Sequence, residues 1–299
     1  MRLIHLTDPH LTSLENHSPP GLGLKRSLSY LSWRRKRRFQ HDQSALEFVT
    51  SSLRAEQADQ MLVTGDLTHI GLAEEIRTAR TWLESLGNAD QVMLVPGNHD
   101  LMARDSWGHV SNIWGDYLHL DERQAGASIH DAFPVIREFG DIAIIGVSSA
   151  HPTPILMASG SLGNGQMRRL ESMVERLRQR DKFCCLMIHH PPIPGIVGRR
   201  RALSDETQLQ DLLERQPIDL VLHGHTHRNE EIALAGRMIY STASASSITG
   251  HAPAAYRVFD IEKNADGWGV SMTLKSLSGS SAGAWRMVTI EQASWHTAR

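Results

Sequence analysis

Cysteine is nearly absent from this chain: two thiols in 299 residues, Cys184 and Cys185, sit side by side in an apolar run. Sequence neighbours in such a run cannot bridge to each other or staple distant segments, which excludes a disulfide framework and fits a reducing cytosol. Long apolar runs are missing too. No stretch approaches the roughly 20 residues needed to span a bilayer, and the N-terminus "MRLIHLTDPHL" reaches Asp8 before a signal-peptide core forms. A soluble, cytoplasmic chain is expected. Net charge is small, at -2. Acid is absent, however, from Asn16 to His41, where Lys25, Arg26, Arg34, Arg35, Lys36, Arg37 and Arg38 leave the remainder at -2 - 7 = -9. The basic character therefore belongs to one insertion, at about residues 16–43.

What is present is enough apolar material for a core. With 40% hydrophobic residues, the chain is expected to form one domain over residues 1–299. Short apolar runs of β type alternate with segments of helical period, the pattern of an α/β fold. Arg2 to Leu6, Met61 to Val63, Val92 to Val95, Ile142 to Val147, Cys184 to Ile188 and Leu220 to Leu222 read as buried strands. Leu46, Val49 and Leu53 share a helical stripe, as do Leu72, Ile76, Ala79 and Leu83, with Gly87 as a stop, and Met167, Leu170, Val174 and Leu177. After His227, "RMIYSTAS", "AYRVFDIE" and "WGVSMTLKSL" are strand-like with no long helix between them. They are expected to form a second sheet that closes the core. The tail after Ile290 reads as loose.

The polar residues that carry chemistry follow these strands. "LIHLTDPH" offers Asp8 and His10, "MLVTGD" Asp66, "VMLVPGNHD" Asn98, His99 and Asp100, "CCLMIHHPP" His189 and His190, and "LVLHGHTH" His223, His225 and His227. In open α/β sheets ligands bind outside the carboxyl ends of the strands, so the five clusters should converge. In an extended backbone Asp8 and His10 share a side, as do His225 and His227. Gly65, Gly97 and Gly224 each precede a candidate donor and allow close backbone approach. Carboxylate and amide oxygens mixed with imidazoles, and no thiolate, suit Mn²⁺, Fe or Zn²⁺ better than Mg²⁺ or Ca²⁺. Asp8, His10, Asp66, Asn98, His189, His225 and His227 are too many for one tetrahedral ion and about right for two ions sharing a carboxylate.

The ordered series DxH, GDxx, GNHD, H-x-P and GHxH resembles the calcineurin-like metallophosphoesterase superfamily, from Asp8 to His227. The resemblance implies a two-sheet sandwich flanked by helices and a dinuclear metal centre. It assigns Asp8, His10 and His227 to one ion, Asn98, His189 and His225 to the other, and Asp66 to both. His99 would act on the substrate and Asp100 would orient it. Two such ions lower the pKa of a shared water, giving a hydroxide nucleophile, and clamp a phosphoryl group for in-line attack. "TGDLTHIG" with its following acids and "HHPP" are similar to the branch containing class III cyclic-nucleotide phosphodiesterases and glycerophosphodiesterases. The basic insertion departs from the plain members of that branch.

A phosphodiesterase is the leading expectation. A lipid- or nucleotide-linked pyrophosphatase at a membrane surface and a nuclease are the enzyme alternatives, and a catalytically dead scaffold of the same fold is disfavoured because no ligand is missing. Arg199, Arg200 and Arg201, beside the metals in sequence, are candidates for an anionic substrate group. The insertion mixes Leu22, Leu24, Leu28, Tyr30, Leu31, Trp33 and Phe39 with its cations. It fits an anionic membrane, nucleic-acid phosphates, a cap over the site, or a solvated helix with one buried face. Replacing Arg34, Arg35, Arg37 and Arg38 is expected to spare hydrolysis of small diesters, because the metal ligands lie elsewhere. His223 reads as structural, His190 as a residue that lines the pocket, and His69 as a loop residue.

Overall fold

The computed structural model describes residues 1–11, 13–15, 21–216, 218–280 and 284–298. Positions 16–20, where the basic insertion begins, lie outside the described residues. In chain order the elements are β1 (Arg2–Leu6), α1 (Gly23–Arg35), α2 (Gln43–Ala55), β2 (Gln60–Val63), α3 (Ala73–Leu86), β3 (Val92–Leu94) and α4 (Ser106–Trp114). Next come two single-turn helices, α5 (Glu122–Ala125) and α6 (Ile129–Ala132), then β4 (Val135–Phe139), β5 (Ile142–Gly146), α7 (Gly163–Arg178), β6 (Phe183–Met187), α8 (Glu206–Arg215) and β7 (Leu220–His223). Strands β8 (Glu230–Leu234), β9 (Arg237–Ser241), β10 (Ala255–Asn264), β11 (Gly267–Ser278) and β12 (Arg286–Ala298) complete it.

The strands form two six-stranded sheets, in the orders β12-β11-β10-β1-β2-β3 and β4-β5-β6-β7-β9-β8. Parallel pairing of β1 with β2 and β2 with β3, and of β5 with β6 and β6 with β7, brings the carboxyl ends of these strands to one edge of each sheet. The uninterrupted apolar run of β6 follows from burial on both faces. Phe183, Cys185 and Met187 join the cluster shared with the first sheet, while Cys184, Leu186 and Ile188 pack with Leu170, Val174 and Leu177 of α7 and Leu209 and Leu213 of α8. The two thiols thus face opposite ways, both free and buried, and burial pushes Cys184 up to about 12. Asp42 caps α2 by accepting from the Ala45 amide at 2.8 Å, and Leu46, Val49 and Leu53 behind it are buried, each contributing ~1.5–3 kcal/mol.

Two expectations need correction. The strands after His227 do not make a sheet of their own: β9 lies parallel to β7 in one sheet, and β10 lies antiparallel to β1 in the other. Without them β1 and β7 would each leave an edge of unpaired backbone groups, and pairing there satisfies them. Nor is the tail loose. β12 pairs along the length of β11, with Met287, Ala293 and Trp295 against the core and Gln292, Ser294 and His296 towards solvent. No helix among the described residues is long and apolar enough to cross a membrane.

Candidate metal centre

Each candidate donor sits two to four residues beyond a strand of the parallel set, where hydrogen bonding to neighbouring loops replaces the ladder. Asp8 N–H donates to the Gly65 carbonyl at 3.0 Å, His10 N–H to the Asp66 carbonyl at 3.1 Å, and Gly224 N–H to the His189 carbonyl at 3.0 Å. The backbone there is not extended. Asp8, His10, Asp66, His225 and His227 all have positive φ, between 43° and 68°. The pairs Asp8/His10 and His225/His227 do converge, but through left-handed turns rather than strand alternation. Such conformations cost roughly 1–3 kcal/mol each in non-glycine residues and persist where surrounding structure fixes them.

Asp8, His10, Asp66 and His227 place one ligand atom each within 4.8 Å of the others, and so do Asp66, His189 and His225. Asp66 belongs to both groups. Asn98 joins the second, its Oδ1 lying 3.1 Å from His189 Nε2. The ring orientations are set from behind. His10 Nδ1 donates to the Thr68 carbonyl at 3.0 Å and His189 Nδ1 to the Thr64 carbonyl at 2.7 Å, so both present an Nε2 lone pair to the centre. His10 Nε2 and His227 Nε2 face each other across 3.4 Å. Asp8 Oδ2 accepts from Thr7 Oγ1 and His225 N–H, whereas Oδ1 is buried without a hydrogen bond, 3.1 Å from His227 Nε2. His225 Nε2 is likewise buried and unpartnered. Orphaned donor atoms converging around a shared carboxylate are what a pair of cations would satisfy, and the residues present fit divalent metal ions.

Electrostatics agree. Burial, then the neighbouring rings of His41 and His69, hold His10 well below the usual imidazole range, and burial with His190 does the same for His225, leaving both neutral as ligation requires. Burial also opposes charge on His189, yet Asp66 and Asp8 lift it to about 9. Burial acts to raise Asp66, but His189 and His99 hold it well below the usual carboxylate range. This is a place that favours positive charge.

Glycines permit the approach. A Cβ on Gly97 would fall on Asp66 itself, and one on Gly224 would fall on Thr7 Oγ1 and lie 2.7 Å from Asp8 Oδ2. We expect Gly224→Ala to lose ~1–3 kcal/mol of stability through overpacking and to weaken metal retention. Calorimetric melting and elemental analysis check this; an unchanged melting temperature with full metal content would refute the crowding argument.

His99 stands beside these groups. Its N–H donates to Asp66 Oδ1 at 2.7 Å and its Nδ1 to the His69 carbonyl at 2.5 Å. Burial, opposed by Asp66, brings it down to about 4. The carbonyl of His69, rather than Asp100, orients the ring. Asp100 instead accepts from the amides of Asp66, Thr68 and Gly97 and from Thr68 Oγ1, all at 2.9–3.0 Å, fixing the loop that carries Asp66. Burial and the nearby charge of Asp66 raise it to about 7. His69 stacks on His10 at 5.0 Å, and Glu75 holds its amide. Both nitrogens of His190 are engaged, with Ser149 Oγ at 2.8 Å and the Ala158 carbonyl at 3.1 Å, and its ring packs 4.5 Å from His225. His223 is buried at the end of β7, outside both donor groups. All three loop arginines are exposed as residues, and of them Arg201 reaches the centre, its Nη2 donating to the His225 carbonyl at 2.6 Å.

The insertion supplies residues that charge counting did not single out. Helix α1 buries Tyr30 and Trp33 with Leu14, Ile70 and Met102, and Arg26 fastens it to the Ile70 and Gly71 carbonyls and to Asp105. A 3-10 turn at Arg37–Phe39 then brings Arg37 onto His99. His41 reaches the first donor group, its ring 4.7 Å from His10.

The model of the calcineurin-like phosphoesterase family matches residues 1–229. Two similar cyanobacterial proteins are each named "Probable cyclic nucleotide phosphodiesterase". The one from Synechococcus sp. (strain ATCC 27144) is 29% identical over 60% of this chain and 62% of its own length, under two thirds of that relative. The one from Synechococcus sp. (strain WH7803) is 28% identical over 76% of this chain and 75% of its own. In fold, the chain is similar to a dimetal phosphatase from Danio rerio, with a TM-score of 0.58 at 12% identity, covering 97% of this chain and 99% of that one.

Proposed function

The chain belongs to the calcineurin-like phosphoesterase family, and from that premise we propose that it is a dinuclear metal-dependent phosphodiesterase. The observation that carries this reading is Asp66, common to two groups of converging donors that include buried atoms with no other partner. Asp8, His10 and His227 would hold one ion and Asn98, His189 and His225 the other, with Asp66 able to serve both. When bound, two such ions activate water at neutral pH and neutralise phosphoryl oxygens.

The protein's own residues do the rest. Carbonyls of Thr68 and Thr64 keep His10 and His189 in the ligating tautomer. Asp100 gathers four donors from the loops that carry Asp66 and Gly97, so the bridge is held rigid. His99, its Nδ1–H held by the His69 carbonyl, carries a lone pair at Nε2, and a proton taken up there beside the substrate would let it stabilise developing charge or protonate the leaving group. The similar proteins named as cyclic nucleotide phosphodiesterases favour a diester substrate. The test is a panel of aryl monoesters, linear and cyclic diesters, nucleic acids and nucleotide-linked pyrophosphates with Mn²⁺ or Zn²⁺. Diester turnover that disappears on chelation supports the reading; turnover confined to monoesters or pyrophosphates overturns it.

A specific observation favours action at a lipid surface. Leu24 and Phe39 are 66% and 62% exposed, with Leu28 and Leu31 partly so, beside the exposed cations Arg34, Arg35 and Lys36. Phosphate beside hydrocarbon suits that mixture. Each basic residue near an anionic bilayer contributes about 1 kcal/mol, so changing Arg34, Arg35 and Lys36 to Ser is expected to weaken sedimentation with anionic vesicles by roughly 100-fold. Unchanged vesicle binding leaves α1 as a solvated helix with one buried face.

A further inference from the structure

Among the cations of the insertion, Arg37 stands apart. Its Nη1 lies against the ring of His99, 3.0 Å from Nε2 and 3.2 Å from Nδ1, its Nη2 donates to the Ser29 carbonyl at 3.1 Å, and its Nε is buried with no partner. Arg37 is half-buried as a residue, and the two buried arginines face a carboxylate: Arg26 lies 2.9 Å from Asp105 and Arg257 lies 3.8 Å from Glu291. Arg37 has no carboxylate at ion-pair distance among the described residues. A guanidinium largely removed from water with no carboxylate in contact is costly, and the charges of Asp66 and Glu75 reach it only from beyond ion-pair distance. The arrangement calls for an anion. A cavity of about 310 Å³ opens beside it, lined also by Asn98, His99 and Arg201, so that Asn98 of the second donor group, the substrate-side histidine and two arginines share one space.

We propose that Arg37, delivered by the insertion, is a substrate-binding residue of the centre and takes an anionic phosphoryl oxygen beside His99. The planar fork of arginine suits tetrahedral oxyanions, and the fixed contact to Ser29 presents it without further ordering. His99 Nε2 holds one of its N–H groups until the phosphoryl oxygen arrives. The insertion therefore completes the site, and the expectation that its arginines can all be replaced without affecting small diesters fails at Arg37. This inference rests on the phosphoesterase reading for the identity of the anion, but its test does not require turnover.

The test uses the full chain loaded with Mn²⁺ and inorganic phosphate as the probe, titrated calorimetrically, alongside steady-state hydrolysis of an aryl diester. Arg37→Ala should bind phosphate at least ~10-fold more weakly and lose ~100-fold in kcat/KM at unchanged metal content. Arg37→Lys, which keeps the charge but not the fork, should recover part of both. Arg77→Ala, an exposed arginine of α3 outside the insertion, should match the parent protein. If Arg37→Ala misfolds, Arg37→Lys and Arg37→Met carry the comparison. Phosphate affinity within twofold of the parent in the folded Arg37 variants, an equal loss in Arg77→Ala, or no phosphate binding by the parent protein would each overturn the proposal. Arg37-dependent phosphate binding without diester turnover would instead uphold it and count against the phosphodiesterase reading.

Discussion

Asp66→Ala is expected to lower turnover of an aryl phosphodiester by about 10⁴-fold or more, since charge stabilisation by two ions is worth several kcal/mol and each ~1.4 kcal/mol is tenfold. Asp66 is the one residue common to both donor groups, and its Oδ1 also holds the His99 amide at 2.7 Å. Its removal loosens both ions and the substrate-side histidine together. The same variant should retain less than one ion per chain after desalting. Steady-state rates and elemental analysis check the two halves separately, and a variant that keeps both ions and a rate within tenfold of the parent would remove Asp66 from the bridging position.

His99→Ala is expected to lower kcat by ~10²–10³-fold, the scale of a positioned acid or charge stabiliser, while both ions stay bound. Its side chain is committed to the His69 carbonyl and to Arg37, not to the donor groups. His225→Ala should behave differently and lose metal, because His225 Nε2 is buried and has no other partner. His99→Ala stripped of an ion beside a fully loaded His225→Ala would reverse the two roles.

Much of this was legible in the sequence because each chemical cluster directly follows an apolar strand, and the strand runs at Arg2 to Leu6 and Leu220 to Leu222 coincide with β1 and most of β7. The spacing of the helical stripes likewise placed α2, α3 and α7. What escaped was of three kinds. Alternation was the wrong reason for the convergence of Asp8 with His10, since a positive φ at each turns the chain there, and no local propensity announces a left-handed Asp or His. Strand β12 escaped because an edge strand keeps only alternate residues inward, and Gln292, Ser294 and His296 on its other face read as a solvated tail. Arg37 and His41 escaped because composition treats a run of cations as uniform. The break from α1 into a 3-10 turn sends Arg37 inward while Arg34, Arg35 and Lys36 stay in solvent. Asp100 shows a fourth limit: its place after Asn98 and His99 was evident, but that it secures a loop rather than the ring of His99 follows only from the contacts it makes.

One chain is expected to bind two divalent ions through a shared Asp66. The direct measurement is the number of ions bound at saturation, obtained by native mass spectrometry during titration of metal-free protein with Mn²⁺ or Zn²⁺, with diester hydrolysis followed in the same samples. The account predicts two ions per chain, with activity rising on occupancy of the second. Saturation at a single ion with full activity would contradict it.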